Sequence, residues 1–202
     1  MADPARRLMA PEDFFAWQLA QDAAYELVDG IPARRHRMMT GASSQHDIAT
    51  ANMIGMLYNQ LKGSRCRVTT ADTAIRTSIR SVRRPDVMVE CAEPVWDGYE
   101  AVEPRLVVEV ASPSTSSVDQ TRKLEEYKRH PTLDHILLVE TLSPEALLYR
   151  RTEGEWAIEP YEGFDAVIEL PAIGVRLPLA DIYERVPFGS RRRTVSDPPT
   201  EA

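Results

Sequence analysis

Two hydrophobic periods alternate along the chain, and the points where one gives way to the other mark out its elements. From Ser43 to Lys62 the residues Ile48, Ala51, Ile54, Leu57, Tyr58 and Leu61 recur at steps of three and four, the spacing of an amphipathic helix, with Gly63 to end it. "MAPEDFFAWQLAQ" predicts a shorter helix: Pro11 suits a first helical position, and Glu12 and Asp13 suit the positive end of the helix dipole. Between the two, "YELVDGIPARRHRMM" reads as two extended arms joined at Asp29-Gly30, a hairpin-turn dipeptide. "CRVTTADTAIRTSI" supplies one or two strands. "RRPDVMVEC" and "PRLVVEVAS" are then nearly unbroken apolar runs, as expected of central strands covered on both faces.

The helical period returns in "SPSTSSVDQTRKLEEYKRHP", with Val118, Leu124 and Tyr127 expected inward, Ser117 and Gln120 spaced as a capping box, and Pro131 as the stop. "HILLVE" is a further buried strand, "EALLYRR" and "EWAIEPY" read as a β meander, and "VIEL" and "GVRLPLADIY" close the domain. This order predicts an α/β or α+β domain with a mixed central sheet, without the strict alternation of a doubly wound fold. No Gly-rich phosphate loop is present. One domain is expected over residues 8–186, and residues 187–202, which lack apolar periodicity, are expected to form a disordered tail.

Composition narrows the function classes. At 202 residues and 43% hydrophobic, the chain can bury one core. Its 31 acids against 24 bases, net -7, argue against coating nucleic acid or an anionic membrane through an overall positive field. Local basic clusters remain, at Arg34, Arg35 and Arg37 and at Arg76, Arg80, Arg83 and Arg84; a solvated face is the simplest reading of both. Cys66 and Cys91 cannot form a disulfide framework or a four-thiolate zinc site, and reduced, partly buried thiols are expected. With no secretion signal and no run long enough to span a bilayer, a cytoplasmic protein with no membrane partner is expected. His36, His130 and His135 lack paired metal spacing, and the serines of "SPSTSS" lack a nucleophile-elbow pattern and suit a turn.

The chemistry concentrates on two acids. Glu109 sits in the middle of "RLVVEVASPS", and an unpaired carboxylate buried there costs several kcal/mol or more, so it must be neutralised, bonded to donors, or bound to a cation. Asp86 opens the preceding apolar strand. Side chains on one face of neighbouring strands come within roughly 5 Å, so the two acids can converge. Mg²⁺ would favour both ionised forms, and it needs only one or two protein carboxylates. Simpler readings stand beside this: Asp86 ending a turn, Glu109 paired with an arginine, Glu26 paired with Arg34 or Arg35 across the hairpin, and Lys123 paired with Asp119.

"RPDVMV" followed by "LVVEVASPS" resembles the PD-(D/E)XK nuclease superfamily, and "YELVDG", "SSQHDIA" and "DQTRKLEEY" narrow the resemblance to the bacterial restriction endonuclease family once described as a domain of unknown function. It spans roughly Met9 to Tyr183, and it rests on the order of short motifs. The resemblance implies a restriction-endonuclease-like core and Mg²⁺- or Mn²⁺-dependent hydrolysis of DNA phosphodiesters. By it, Asp86, Glu109 and the backbone carbonyl of Val110 would bind the metal, and Glu26 would add a carboxylate. His46 and Arg84 would contact substrate, His46 at a helix start where capping competes with that role. Ala111 stands where the superfamily's usual lysine would be, and Lys123 on the following helix matches the lysine this family uses instead. A homodimer is implied by analogy with nucleases that cut two strands. The alternatives are a weakly active or inactive nuclease-fold module that binds nucleic acid or protein, and hydrolysis of another phosphoester.

Overall fold

Helix α1 (Pro11–Gln18) begins at the expected proline and buries Phe14 against Leu27, Ala74 and Val82. The chain is described by a computed structural model over residues 8–35, 43–93, 95, 97–111 and 117–188. After α1 comes the hairpin of β1 (Tyr25–Val28) and β2 (Ile31–Arg34), turned through Asp29 at φ 49° and Gly30 at φ 81°. Two successive positive φ values are what a tight hairpin of this hand demands, and Asp-Gly supplies them at low cost.

Helix α2 (Ser44–Leu61) is the longest, and Ser43 caps it by accepting the His46 N–H at 3.3 Å. Its buried row is Ala49, Met53, Leu57 and Leu61, strictly four apart. The expected face is therefore rotated: Ala51 is exposed and Tyr58 is 59% exposed, with the Lys62 ammonium over its ring at 5.0 Å. A small residue lets helix and sheet approach closely, so the row through Ala49 wins over one carrying a bulky ring.

Strands β3 (Arg67–Thr70), β4 (Ile75–Ser78), β5 (Ser81–Arg83), β6 (Val87–Glu90) and β7 (Pro104–Val110) follow, then helix α3 (Ser117–Lys128). Strands β8 (His135–Val139), β9 (Glu145–Thr152), β10 (Glu155–Glu162), β11 (Val167–Leu170) and β12 (Val175–Pro178), with the short helix α4 (Leu179–Ile182), complete the chain. The main sheet has the order β10-β9-β8-β7-β6-β3, mixed because β7 and β8 run parallel across α3 while the other neighbours are antiparallel. The meander thus extends the central sheet. A second sheet, β2-β1-β5-β4, lies beside it, and β11 and β12 form a separate hairpin.

Strand parity divides the core. Val87, Val89, Leu106, Val108 and Val110 pack with α2, whereas Met88 and Val107 pack on the other side with Tyr127, Leu133 and Ile136. Because side chains alternate at every residue, Asp86 follows Met88 and Glu109 follows Val107; Glu109 meets Lys123 and Tyr127 of α3, while Asp86 meets His46 at the start of α2. On α3, Leu124 and Tyr127 face inward as expected, but Val118 is 76% exposed. Nine residues turn a helix through about 180° from Tyr127, so Val118 falls on the outer face.

One expectation is overturned outright. Cys66 and Cys91 are joined in a disulfide, with an S–S distance of 1.99 Å, rather than held as reduced thiols. The Arg67↔Glu90 pairing puts the two cysteines opposite each other at the end of the β3–β6 ladder, a proximity that a spacing of 25 residues conceals. Phe188 packs near Tyr183 and Phe164, with ring centroids at 5.4 and 6.0 Å; the rest of the expected tail, residues 189–202, lies outside the described residues. So do the "SPSTS" turn at 112–116, the side chain of Ser117 with its expected capping box, and residues 36–42 with His36 and Arg37. No helix among the described residues is long and apolar enough to cross a membrane.

Candidate active site

At Pro85 the chain crosses from the small sheet to the large one, and this crossing builds the site. Arg83 ends β5, Arg84 and Pro85 connect, and Asp86 leads into β6. One step beyond the Val87↔Val108 pairing, Asp86 stands opposite Glu109. Its Oδ2 accepts the Val110 N–H at 2.9 Å and lies 3.3 Å from His46 Nε2, while Oδ1 accepts from Arg35 Nη2 at 2.8 Å. At Val110, then, the visible polar contact is the N–H bond to Asp86. Burial alone would push Asp86 up, but the His46 hydrogen bond and charge, the Val110 N–H and Arg35 together hold it below the usual carboxylate value.

Glu109 is answered from α3. Lys123 Nζ lies 3.1 Å from Oε2 and 3.3 Å from Oε1, and Tyr127, one turn later, donates its hydroxyl to Oε1 at 2.6 Å. Glu109 is nonetheless shifted upward: burial dominates, and the nearby negative charges of Asp86 and Glu26 add to it against Lys123 and Tyr127. Lys123 is shifted upward in turn, because Glu109, Glu26 and Asp119 outweigh the burial that would lower it. Glu109, Lys123 and Asp86 keep 16%, 12% and 10% of their side-chain surface exposed, so the cluster opens narrowly to solvent.

Glu26 belongs to the same cluster but is already engaged. Its Oε2 accepts from Arg83 Nη1 at 3.0 Å, and Oε1 accepts the Arg84 N–H at 3.1 Å and stands 3.5 Å from Lys123 Nζ. Arg83, 1% exposed, also grips Glu126 through two bonds of 2.7 Å, and Glu126 accepts further bonds from Thr77 and Arg122. This is a buried pair with every member bonded, the condition under which charge burial is tolerated. Glu26 does not pair with Arg34 or Arg35 across the hairpin. Arg84 is 7% exposed, and its guanidinium braces the carbonyls of Tyr25 and Asp72.

Does this donor set suit a cation? Asp86 and Glu109 are hard oxygen donors on facing strand positions, and the like-charge pressure on Glu109 is what a divalent ion would relieve. Among the described residues no three His, Cys, Asp or Glu side chains are grouped to hold a metal. Mg²⁺ or Mn²⁺, which keeps several waters beside one or two carboxylates, fits.

Residues 11–180 match the family described as "Putative restriction endonuclease", named Uma2. The chain belongs to this family. A relative, the uncharacterized protein slr1290 of Synechocystis sp. (strain ATCC 27184 / PCC 6803 / Kazusa), is 31% identical over 183 residues, covering 89% of this chain and 94% of its own length. The crystal structure of a putative nuclease belonging to DUF820, from Anabaena variabilis ATCC 29413, matches with a TM-score of 0.69 at 16% identity, covering 87% of this chain and 97% of that one. The fold of this Uma2 chain is thus that of a nuclease-family structure.

Asp86, Glu109, Glu26, Lys123 and His46 are gathered in one place; Arg84 reaches that place through its backbone. Four side chains in the cluster, Tyr127, Arg83, Glu126 and Arg35, were not expected as site residues from the sequence. Tyr127 had a usable signal, since it follows Lys123 by four residues on a predicted helix. Arg83 and Glu126, 43 residues apart, and Arg35 and Asp86, 51 apart, had none.

Proposed function

We propose that this chain is an endonuclease that hydrolyses phosphodiester bonds of DNA with a bound Mg²⁺ or Mn²⁺. The single observation that carries the reading is that the Lys123 ammonium of α3 lies 3.1 Å from the Glu109 carboxylate of β7, which also feels the charge of Asp86, the residue before β6. Asp86, Glu109 and the carbonyl of Val110 would hold the ion. Bound there, it would polarise a phosphoryl oxygen and lower the pKa of a coordinated water. Lys123 orients the attacking water and stabilises the charge that develops on the phosphate, acting as a preorganised cation in a partly desolvated site. Tyr127 fixes the Glu109 carboxylate, and Glu26, occupied by Arg83 and the Arg84 N–H, steadies Lys123 from the far side. His46 sits at the Asp86 edge of the opening, where it can meet substrate. Two copies acting together would cut both strands of a duplex.

A plasmid-nicking assay with and without chelator tests this on wild type, Asp86→Ala and Lys123→Ala. The expected result is Mg²⁺-dependent nicking abolished by chelator and reduced at least about a hundredfold by either substitution. Nicking indifferent to both substitutions would refute the mechanism. One observation favours a second reading, an inactive module that binds nucleic acid: both oxygens of Asp86 are already bonded. DNA binding without cation, and no cleavage over a broad substrate panel, would select it.

A further inference from the structure

Asp86 is neutralised in an unusual way for a group proposed to hold a metal. Its Oδ1 is taken by the guanidinium of Arg35, which reaches it from the end of the β1–β2 hairpin. The Arg35 side chain is 28% exposed, against 12% for Lys123 and 1% for Arg83. Among the described residues its guanidinium is held at one carboxylate, that of Asp86. The Arg35 backbone N–H donates to the Ala24 carbonyl at 2.9 Å, which fixes the main chain, and the guanidinium has its ion pair with Asp86. Arg84 lies near enough to feel the charge of Arg35, and Arg84 is clamped to the Tyr25 and Asp72 carbonyls. Of the two neighbouring guanidiniums, one is braced and one can leave.

The local pairing of charges gives this arrangement a use. Lys123 is held by Glu109 and Glu26, Arg83 by Glu26, Glu126 and Asp119, and Arg35 by Asp86. A divalent ion added at Asp86 and Glu109 would compete with Arg35 for Asp86 and repel its charge from Oδ1. The nearest new anion would be the phosphate of a bound nucleic acid, which a guanidinium recognises through paired N–H donors.

We propose that Arg35 is an exchangeable counter-ion of the active site: it neutralises Asp86 while no divalent cation is present, and yields Asp86 to the cation to contact the substrate phosphate instead. Cation and nucleic acid are thereby coupled, each favouring the same position of one side chain. This rests on the function proposed above, and it assigns to Arg35 a role distinct from those of Lys123 and the acids.

The test uses the full chain as wild type, Arg35→Gln and Arg35→Lys. Isothermal titration of Mn²⁺ without nucleic acid is expected to show about three- to tenfold tighter binding in Arg35→Gln, because a partly exposed competitor has been removed, and near wild-type binding in Arg35→Lys. Fluorescence anisotropy of a labelled DNA duplex is expected to show weaker binding by Arg35→Gln in Ca²⁺ and no change in EDTA. A purely structural role would not move cation and duplex affinity in opposite directions. Unchanged or weaker Mn²⁺ binding in Arg35→Gln, with wild type binding Mn²⁺, overturns the Arg35 role alone. Equal loss of duplex affinity with and without cation also overturns it. Failure of wild type to bind Mn²⁺ removes the underlying function and this role with it.

Discussion

Glu109 shows how much chemistry a single misplaced residue type can announce. An acid among valines must be answered, and here it is answered by an ammonium and a phenol, against the charge of a nearby acid, Asp86. Tyr127→Phe keeps the ring packing and removes a hydrogen bond to a buried charge, so a loss of about 1–2 kcal/mol is expected in urea unfolding. Unchanged stability would mean that Glu109 is protonated or turned away. The residues legible in sequence were those whose cost is local: Glu109, dear in an apolar run, and Asp86, at the mouth of another. Arg83 looked like a surface arginine because its partners, Glu26 and Glu126, are 57 and 43 residues away. His135 makes a further point at this scale. Buried, with Arg150 at 3.2 Å from Nε2, it is held down to about 4 by desolvation first and by Arg150 second. Between its ordinary value near 6.5 and that value, the unfolded chain binds more protons than the folded one, so this group's contribution to stability is intact above pH 6.5 and is lost as pH falls towards 4. His135→Leu should lose less stability than wild type between pH 7 and 4.5, by roughly 2–3 kcal/mol in urea titrations; equal losses would assign the acid sensitivity to the carboxylates.

Elements were read more securely than their faces. The Asp-Gly turn, the proline start of α1 and the glycine after α2 are local signals, and each lies where the sequence puts it. The inward row of α2 and the outward Val118 of α3 depended on which small or buried residue the sheet accepts, which is decided by packing and not by hydrophobicity counts. The "RRPDVMVEC" run splits at Pro85 into strands of different sheets, so that Arg83 bonds Glu26 in the small sheet while Asp86 enters the large one beside Glu109. The disulfide was missed for the same reason, since it depends on strand register. Closing a loop of 25 residues at the β3 edge should stabilise the chain by about 2–4 kcal/mol. Urea unfolding of wild type with and without reductant, set against Cys66→Ser, measures this; coincident transitions would show that the thiols are reduced in solution. Disulfides are uncommon in the reducing cytosol, so the same measurement bears on the expected cytoplasmic setting.

At the scale of the molecule, Glu26 comes from the small sheet, Glu109 from the large one and Lys123 from α3, so the acids and the ammonium proposed to be catalytic are brought together where these three elements meet. The net charge of -7 confines attraction for a polyanion to this locality, where Lys123, Arg35 and a divalent ion would outweigh the acids. The claim on which everything turns is that Asp86 and Glu109 are two ligands of one cation. A Mn²⁺-soaked crystal, read by anomalous scattering, tests it most directly. The account predicts a peak within bonding distance of both carboxylates, with the Lys123 ammonium beside it. An empty junction with Mn²⁺ bound elsewhere, or carboxylates turned to separate partners, would contradict it.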